Sequence, residues 1–126
     1  MKKHLLSIAL LVVTLAGCSK SDTNQPAEQP LVLTNTEWVG PGEKYAGNGL
    51  TYYKQLHFTS ATDVDLYDSY EIGKPTDDYT SHVQYKIIGS SVLVTGMGGM
   101  GFKVNQTYTY KDGTLLLDGK TYTKYK

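Results

Sequence analysis

Over residues 31–126 the apolar residues of this chain recur with a period of two, in short runs, and no window keeps a helical period. That pattern constrains the fold more than any other feature. Leu56 and Phe58 flank His57, and Val64 and Leu66 alternate with Asp63, Asp65 and Tyr67. Val83, Tyr85 and Ile87 share one parity while His82, Gln84 and Lys86 take the other, and Leu115 and Leu117 repeat the arrangement. Alternation of this kind describes strands with one apolar and one polar face. Strands are predicted over 37–40, 51–59, 63–71, 79–88, 91–95, 102–110, 114–117 and 121–125. Glycine punctuates them, and Asp112-Gly113 and Asp118-Gly119 suit two-residue hairpin turns, where both central residues take positive φ. The prediction is an all-β domain of about eight short antiparallel strands. Two architectures satisfy it: an up-and-down barrel, which leaves no exposed edges, or a two-sheet sandwich.

The stretch "VLVTGMGGMGFKV" places Gly96, Gly98 and Gly101 in the spacing G-x-G-x-x-G. A dinucleotide loop needs a helix after the glycines, because the pyrophosphate rests on that helix N-terminus. Here the following "FKVNQTYTYK" alternates as a strand. The glycines are therefore expected to turn the chain between two antiparallel strands, and no cofactor is expected.

The N-terminus differs in kind. Lys2 and Lys3 precede an apolar run from Leu5 to Leu15, and "LAGC" closes the segment at Cys18. A basic start, a short apolar stretch and small residues before a cleavage point describe a secretory signal. The run is shorter than the roughly 20 residues a spanning helix needs. Leu15, Ala16, Gly17 and Cys18 resemble the lipobox of bacterial lipoproteins. The resemblance implies that residues 1–17 are removed and that Cys18, the only cysteine, carries the lipid. Residues 18–30 then form the lipidated cysteine and a polar tether containing Pro26 and Pro30. A dozen residues at about 3.3 Å each reach some 40 Å. Residues 31–126 form the folded domain, which must be stable without a disulfide.

With Lys2 and Lys3 removed, the 12 Lys+Arg fall to 10 against 12 Asp+Glu, a balance of −2, and arginine is absent. Nucleic-acid binding, which relies on basic patches and guanidinium contacts, is excluded as a class.

Further stretches carry a family resemblance: "LTNTEWVG" around Trp38, "LHFTSATDVDLY", "YKIIGSSVLVTG" and the ending "YTYKDGTLLLDGKTYTKYK". They resemble small lipoproteins of the Bacteroidetes with a lipocalin-like domain. The resemblance implies a β-barrel held at the cell envelope, at the outer membrane, by its N-terminal lipid. Trp38 is expected to plug the closed end of the barrel.

Chemistry is sparse. Six of the twelve carboxylates lie between Asp63 and Asp78, but "DVDLYDSYE" reads as extended chain rather than as a loop that wraps calcium, so no metal is expected. His57 and His82 accompany no nucleophile motif, and a hydrolase would require one of them beside a carboxylate inside a cleft. The chain has eleven tyrosines but only Phe58 and Phe102 as phenylalanines. Tyrosine couples apolar area to a hydrogen-bonding tip, which suits a binding surface. Tyr52, Tyr53, Tyr67, Tyr70, Tyr108 and Tyr110 are the candidate ligand-binding residues. The expected function is a non-enzymatic, lipid-anchored binding module for a small molecule or glycan. The alternative is a protein-interaction or inhibitor module that works through its loops and a Tyr-rich outer face.

Overall fold

The computed structural model describes residues 29–76 and 79–126. The lipobox, Cys18 and most of the tether lie outside the described residues. Eight strands follow one another: β1 (Thr36–Lys44), β2 (Thr51–Phe58), β3 (Asp63–Ser69), β4 (Ser81–Ile88), β5 (Ser91–Met97), β6 (Lys103–Lys111), β7 (Thr114–Leu117) and β8 (Lys120–Lys124). Each pairs antiparallel with the next, and β8 returns to β1 through Trp38↔Lys124 and Val39↔Thr123. The closed up-and-down barrel is thus the architecture adopted, and the sandwich is not.

Strand boundaries depart from the sequence expectation where local signals mislead. β1 runs on to Lys44 because Gly40 and Pro41 form a bulge rather than a turn: Val39 pairs with Gln55 and Gly42 with Tyr53, so two residues stand opposite Lys54. A bulge tolerates a proline, which has no N–H to give to the ladder. β4 starts at Ser81 rather than 79. After β5 the glycine stretch makes a single 3-10 turn, Gly99–Gly101, and β6 pairs directly back onto β5. Gly101 sits at φ 76° and Met100 at φ 58°, while Gly98 N–H donates to Phe102 O at 2.7 Å. Asp112-Gly113 and Asp118-Gly119 have φ of 50° and 78°, and 50° and 76°, as hairpin turns of that type require.

Alternation assigns each strand an inward parity, and the packing follows it. Trp38, Leu56, Phe58, Val64, Val83, Tyr85, Val92, Val94, Tyr108, Leu115 and Tyr122 form one buried cluster. One end of the barrel is sealed. Leu33 joins the core there, Asn35 N–H donates to Phe58 O at 2.7 Å, and Leu31 packs alongside. Trp38, 3% exposed, stands near this end, edge-on to Tyr110 with ring centroids 6.3 Å apart. Its Nε1–H donates to Thr36 Oγ1 at 2.8 Å, and Thr36 Oγ1 donates in turn to Leu33 O. Phe58 and Tyr85 pack edge-to-face at 4.7 Å, and the Tyr85 hydroxyl donates to Ser60 O.

A second, polar cluster covers the outside of β1, β2 and β3. Gln55, 2% exposed, donates from Nε2 to Glu71 O at 3.1 Å and accepts from Gly73 N–H at 2.7 Å, which pins the β3–β4 loop to the wall. Glu37 is also buried. Its carboxylate accepts from the Tyr125 hydroxyl and pairs with Lys126 Nζ at 3.1 Å, so the last two residues clasp the first strand. Burial alone would raise the Glu37 pKa, but the bonds from Tyr125 and Lys126 outweigh it and hold the group below its ordinary value. A carboxyl with a depressed folded pKa stabilises the protein above its unfolded pKa, and this stability is lost as pH falls through the folded one. Glu37→Gln is therefore expected to lower stability at pH 7 and to flatten the decline below about pH 4.5. Urea melts of both proteins across that range check this; parallel acid limbs would remove Glu37 from the account.

Candidate functional site

The end opposite Leu33 is open. On the inward parity of β2, Phe58 and Leu56 give way to Lys54 and Tyr52. On β3, Val64 and Leu66 give way to Asp68. β6 contributes Gln106 above Tyr108, and β8 contributes Lys120 above Tyr122. The interior thus changes from apolar to polar about halfway along the barrel. A cavity of about 310 Å³ occupies the polar half, floored by Leu56 and Leu66 and walled by Tyr108, Leu117 and Tyr122, with Lys54, Asp68, Asp118 and Lys120 around its mouth. That volume lies at the lower end for small-molecule sites. A broader groove of about 1060 Å³ runs past the sealed end, between residues 29–32 and the turns at Gly89-Ser90 and Lys111-Asp112. Its polar side chains, Gln29, Ser90, Lys111 and Asp112, are exposed and belong to the entering chain and to turns rather than to the barrel interior.

Two of the charges at the mouth are ordered by pairing with each other. Glu43 accepts from Lys120 and, at 2.8 Å, from the Tyr52 hydroxyl. The Lys120 and Tyr52 bonds hold Glu43 below the usual carboxylate range, and Glu43 in turn raises Lys120 and Tyr52. Asp68 behaves differently. Desolvation inside the mouth raises its pKa, Lys54 across the β2–β3 ladder lowers it, and Glu43 raises it again. Among the described residues Asp68 forms no ion pair. Below it, Tyr108 donates to Gln106 Oε1 at 2.8 Å and packs edge-to-face on Tyr122 at 5.4 Å. Burial pushes both phenols up. Gly40 makes room for this wall, because a Cβ there would lie 2.8 Å from the Tyr122 ring.

The six candidate tyrosines do not share one outer face. Tyr108 lines the cavity, and Tyr67 borders it with its hydroxyl beside that of Tyr125. Tyr52 stands at the lip, bonded to Glu43. Tyr110 faces inward at the sealed end against Trp38. Tyr53 is half-buried on the outside against Gly42, and Tyr70 is exposed in the β3–β4 loop, accepting from Asn48 Nδ2 at 3.3 Å. Sequence reasoning missed Glu43, Lys54, Asp68, Gln106, Asp118, Lys120 and Tyr122.

The acidic segment is dispersed in the same way. Asp63 accepts from Ser60 and Thr62 in the β2–β3 turn, and Asp65 pairs with His82 Nδ1 at 2.6 Å on the outer wall. Asp68 points into the mouth, while Asp77 and Asp78 lie outside the described residues. Among the described residues no three His, Cys, Asp or Glu side chains converge on a metal position. The His82–Asp65 pair stands on an exposed strand face and not in the cavity.

Exposed apolar side chains gather at the open end. Tyr45 and Leu50 lie in the β1–β2 loop and Tyr70, Ile72 and Tyr79 in the β3–β4 loop. Met97, Met100 and Phe102 surround the glycine turn. No protein-family model, curated protein or solved structure matches the chain. Function is therefore argued from the geometry of the mouth.

Proposed function

We propose that this is a lipid-anchored protein of a bacterial cell envelope, fixed at the outer membrane through Cys18, whose barrel binds a small molecule or glycan without transforming it. The observation that carries the reading is the change of the barrel interior from apolar to polar over a cavity of about 310 Å³. A small barrel built only for stability would fill this space with further apolar side chains. Here Lys54, Asp68, Gln106 and Lys120 converge instead. Open polar space over an aromatic wall suits a compact, hydroxyl-rich ligand. The chain enters the barrel at its sealed end, so a tether from Cys18 would turn the mouth away from the membrane that holds it.

A second reading draws on the apolar side chains of the mouth loops: a protein partner would bury Tyr45, Tyr79, Met100 and Phe102. NMR of the full chain in mild detergent separates the two. Small-molecule extract of the source envelope is expected to shift the amides of Lys54, Asp68, Gln106 and Lys120. Shifts confined to the loops, and produced only by the protein fraction, would favour the partner.

A further inference from the structure

The barrel wall is uneven at its open end. β1 and β6 are each 9 residues long, but β7 and β8, which stand between them, have 4 and 5. The ladder from β6 to β5 runs up to Lys103, while the ladder from β6 to β7 covers only Thr109–Lys111. Tyr110 N–H donates to Ser90 O at 2.7 Å, on the β5 side. Successive residues of a strand aim their backbone groups to opposite sides, so Lys103, Asn105 and Thr107 aim N–H and C=O away from β5. No backbone group of the described residues meets them there. The overhang of β3 past Leu66 is treated differently: the β3–β4 loop folds onto it, with Thr76 Oγ1 donating to Asp68 O at 3.4 Å. β6 has no such cover. It keeps a strand edge in a fold that otherwise closes on itself.

The edge lies in a basic wall. Residues 79–111, which build β4, β5 and β6, contain Lys86, Lys103 and Lys111 and no carboxylate. All three lysines are exposed, and Lys103 stands on the edge itself. The outer carboxylates Glu37 and Asp65 belong to β1 and β3 and are paired with Lys126 and His82. Asp118, in the turn below the edge, lines the cavity. At the open end of the edge Phe102 is 67% exposed, and Val104, on the inward parity, is half-buried.

We infer that Lys103–Thr107 receives an extended, acidic segment of a partner protein as an additional strand. In strand addition the main-chain bonds supply affinity and the alternating side chains supply specificity. Outward side chains of the segment lie beside Lys103, which favours carboxylates there, and inward ones meet Val104 and Phe102, which favours apolar residues. A second copy is the poorer occupant, because it would bring another β6 carrying lysine and no carboxylate against the first. The inference rests on the second reading above, that a protein partner comes to this end of the barrel, and names how that partner is held.

Two soluble peptides of equal length, one alternating Glu and Val and the other Lys and Val, test this by amide hydrogen exchange on the full chain in mild detergent. In the free protein the amides of Asn105 and Thr107 are expected to exchange far faster than that of Thr109. The Glu-Val peptide is expected to slow them roughly tenfold or more, and the Lys-Val peptide to leave them unchanged. N-methylation of the peptide at the residues that face β6 should abolish the protection, whereas N-methylation at the alternate residues should not; no damage to the barrel produces that contrast. Asn105→Pro, which removes an N–H that serves no ladder bond, should abolish it as well. Equal protection by both peptides, or protection indifferent to N-methylation, would overturn the inference. Slow exchange of Asn105 and Thr107 in the peptide-free chain, with a doubled mass in solution, would give the edge to a second copy and overturn it too. In the same experiment with the protein fraction of the source envelope, a response at Tyr45 and Tyr79 without protection of the edge would overturn the edge alone. No response at either would remove the partner reading with it.

Discussion

Trp38→Ala is expected to destabilise the domain by roughly 3–5 kcal/mol, the range for truncating a buried aromatic. Trp38 packs edge-on to Tyr110 and is tied through Thr36 to Leu33, so its removal opens the sealed end and leaves the Thr36 hydroxyl without its donor. For a domain near 100 residues each kcal/mol moves the midpoint by about 4–8 °C, so a fall of about 12 °C or more is expected in a thermal melt. Without a disulfide to hold the two ends of the barrel together, little else compensates. Equal midpoints for variant and parent would mean that Trp38 does not seal the barrel.

Substitution of Cys18 is expected to act on location with comparable force. Each acyl methylene buried in a bilayer contributes about 0.8 kcal/mol, and stable anchoring takes more than one chain. With a single cysteine in the chain, Cys18→Ser should abolish incorporation of labelled palmitate and leave residues 1–17 attached, as intact mass would report. Label retained by the variant would place the lipid elsewhere and remove the lipobox reading.

The strands were legible in the sequence because they are short and regular, whereas their closure into a barrel rather than a sandwich was not. The parity of Val83, Tyr85 and Ile87, or of Leu115 and Leu117, is the inward parity observed, and the two Asp-Gly turns form where the dipeptides stand. The length of β1 was not legible, since Gly-Pro-Gly spells a turn and only the pairing of Gly42 with Tyr53 turns it into a bulge. Nor was the outer clasp, in which Tyr125 reaches Glu37 and Gln55 reaches Glu71 and Gly73 across long stretches of chain.

The mouth is the instructive case. Its signal lay in the period of two that identified the strands: Lys54 continues the face of Leu56 and Phe58, and Asp68 that of Val64 and Leu66. A charged residue on an apolar parity marks the place where an interior stops being a core. Tyrosine as a residue type marks no single face: Tyr53 and Tyr70 stand on the outside, while Tyr122, on the inward parity, forms the wall.

The central claim is that the polar half of the barrel holds a small ligand in the cell. A native mass spectrum of the tagged protein, extracted gently from its own envelope, tests it most directly. The account predicts a mass above that of the lipidated chain by the weight of one compact molecule. A bare lipoprotein, or one accompanied only by a second protein, would contradict it and transfer the function to the loops around the mouth.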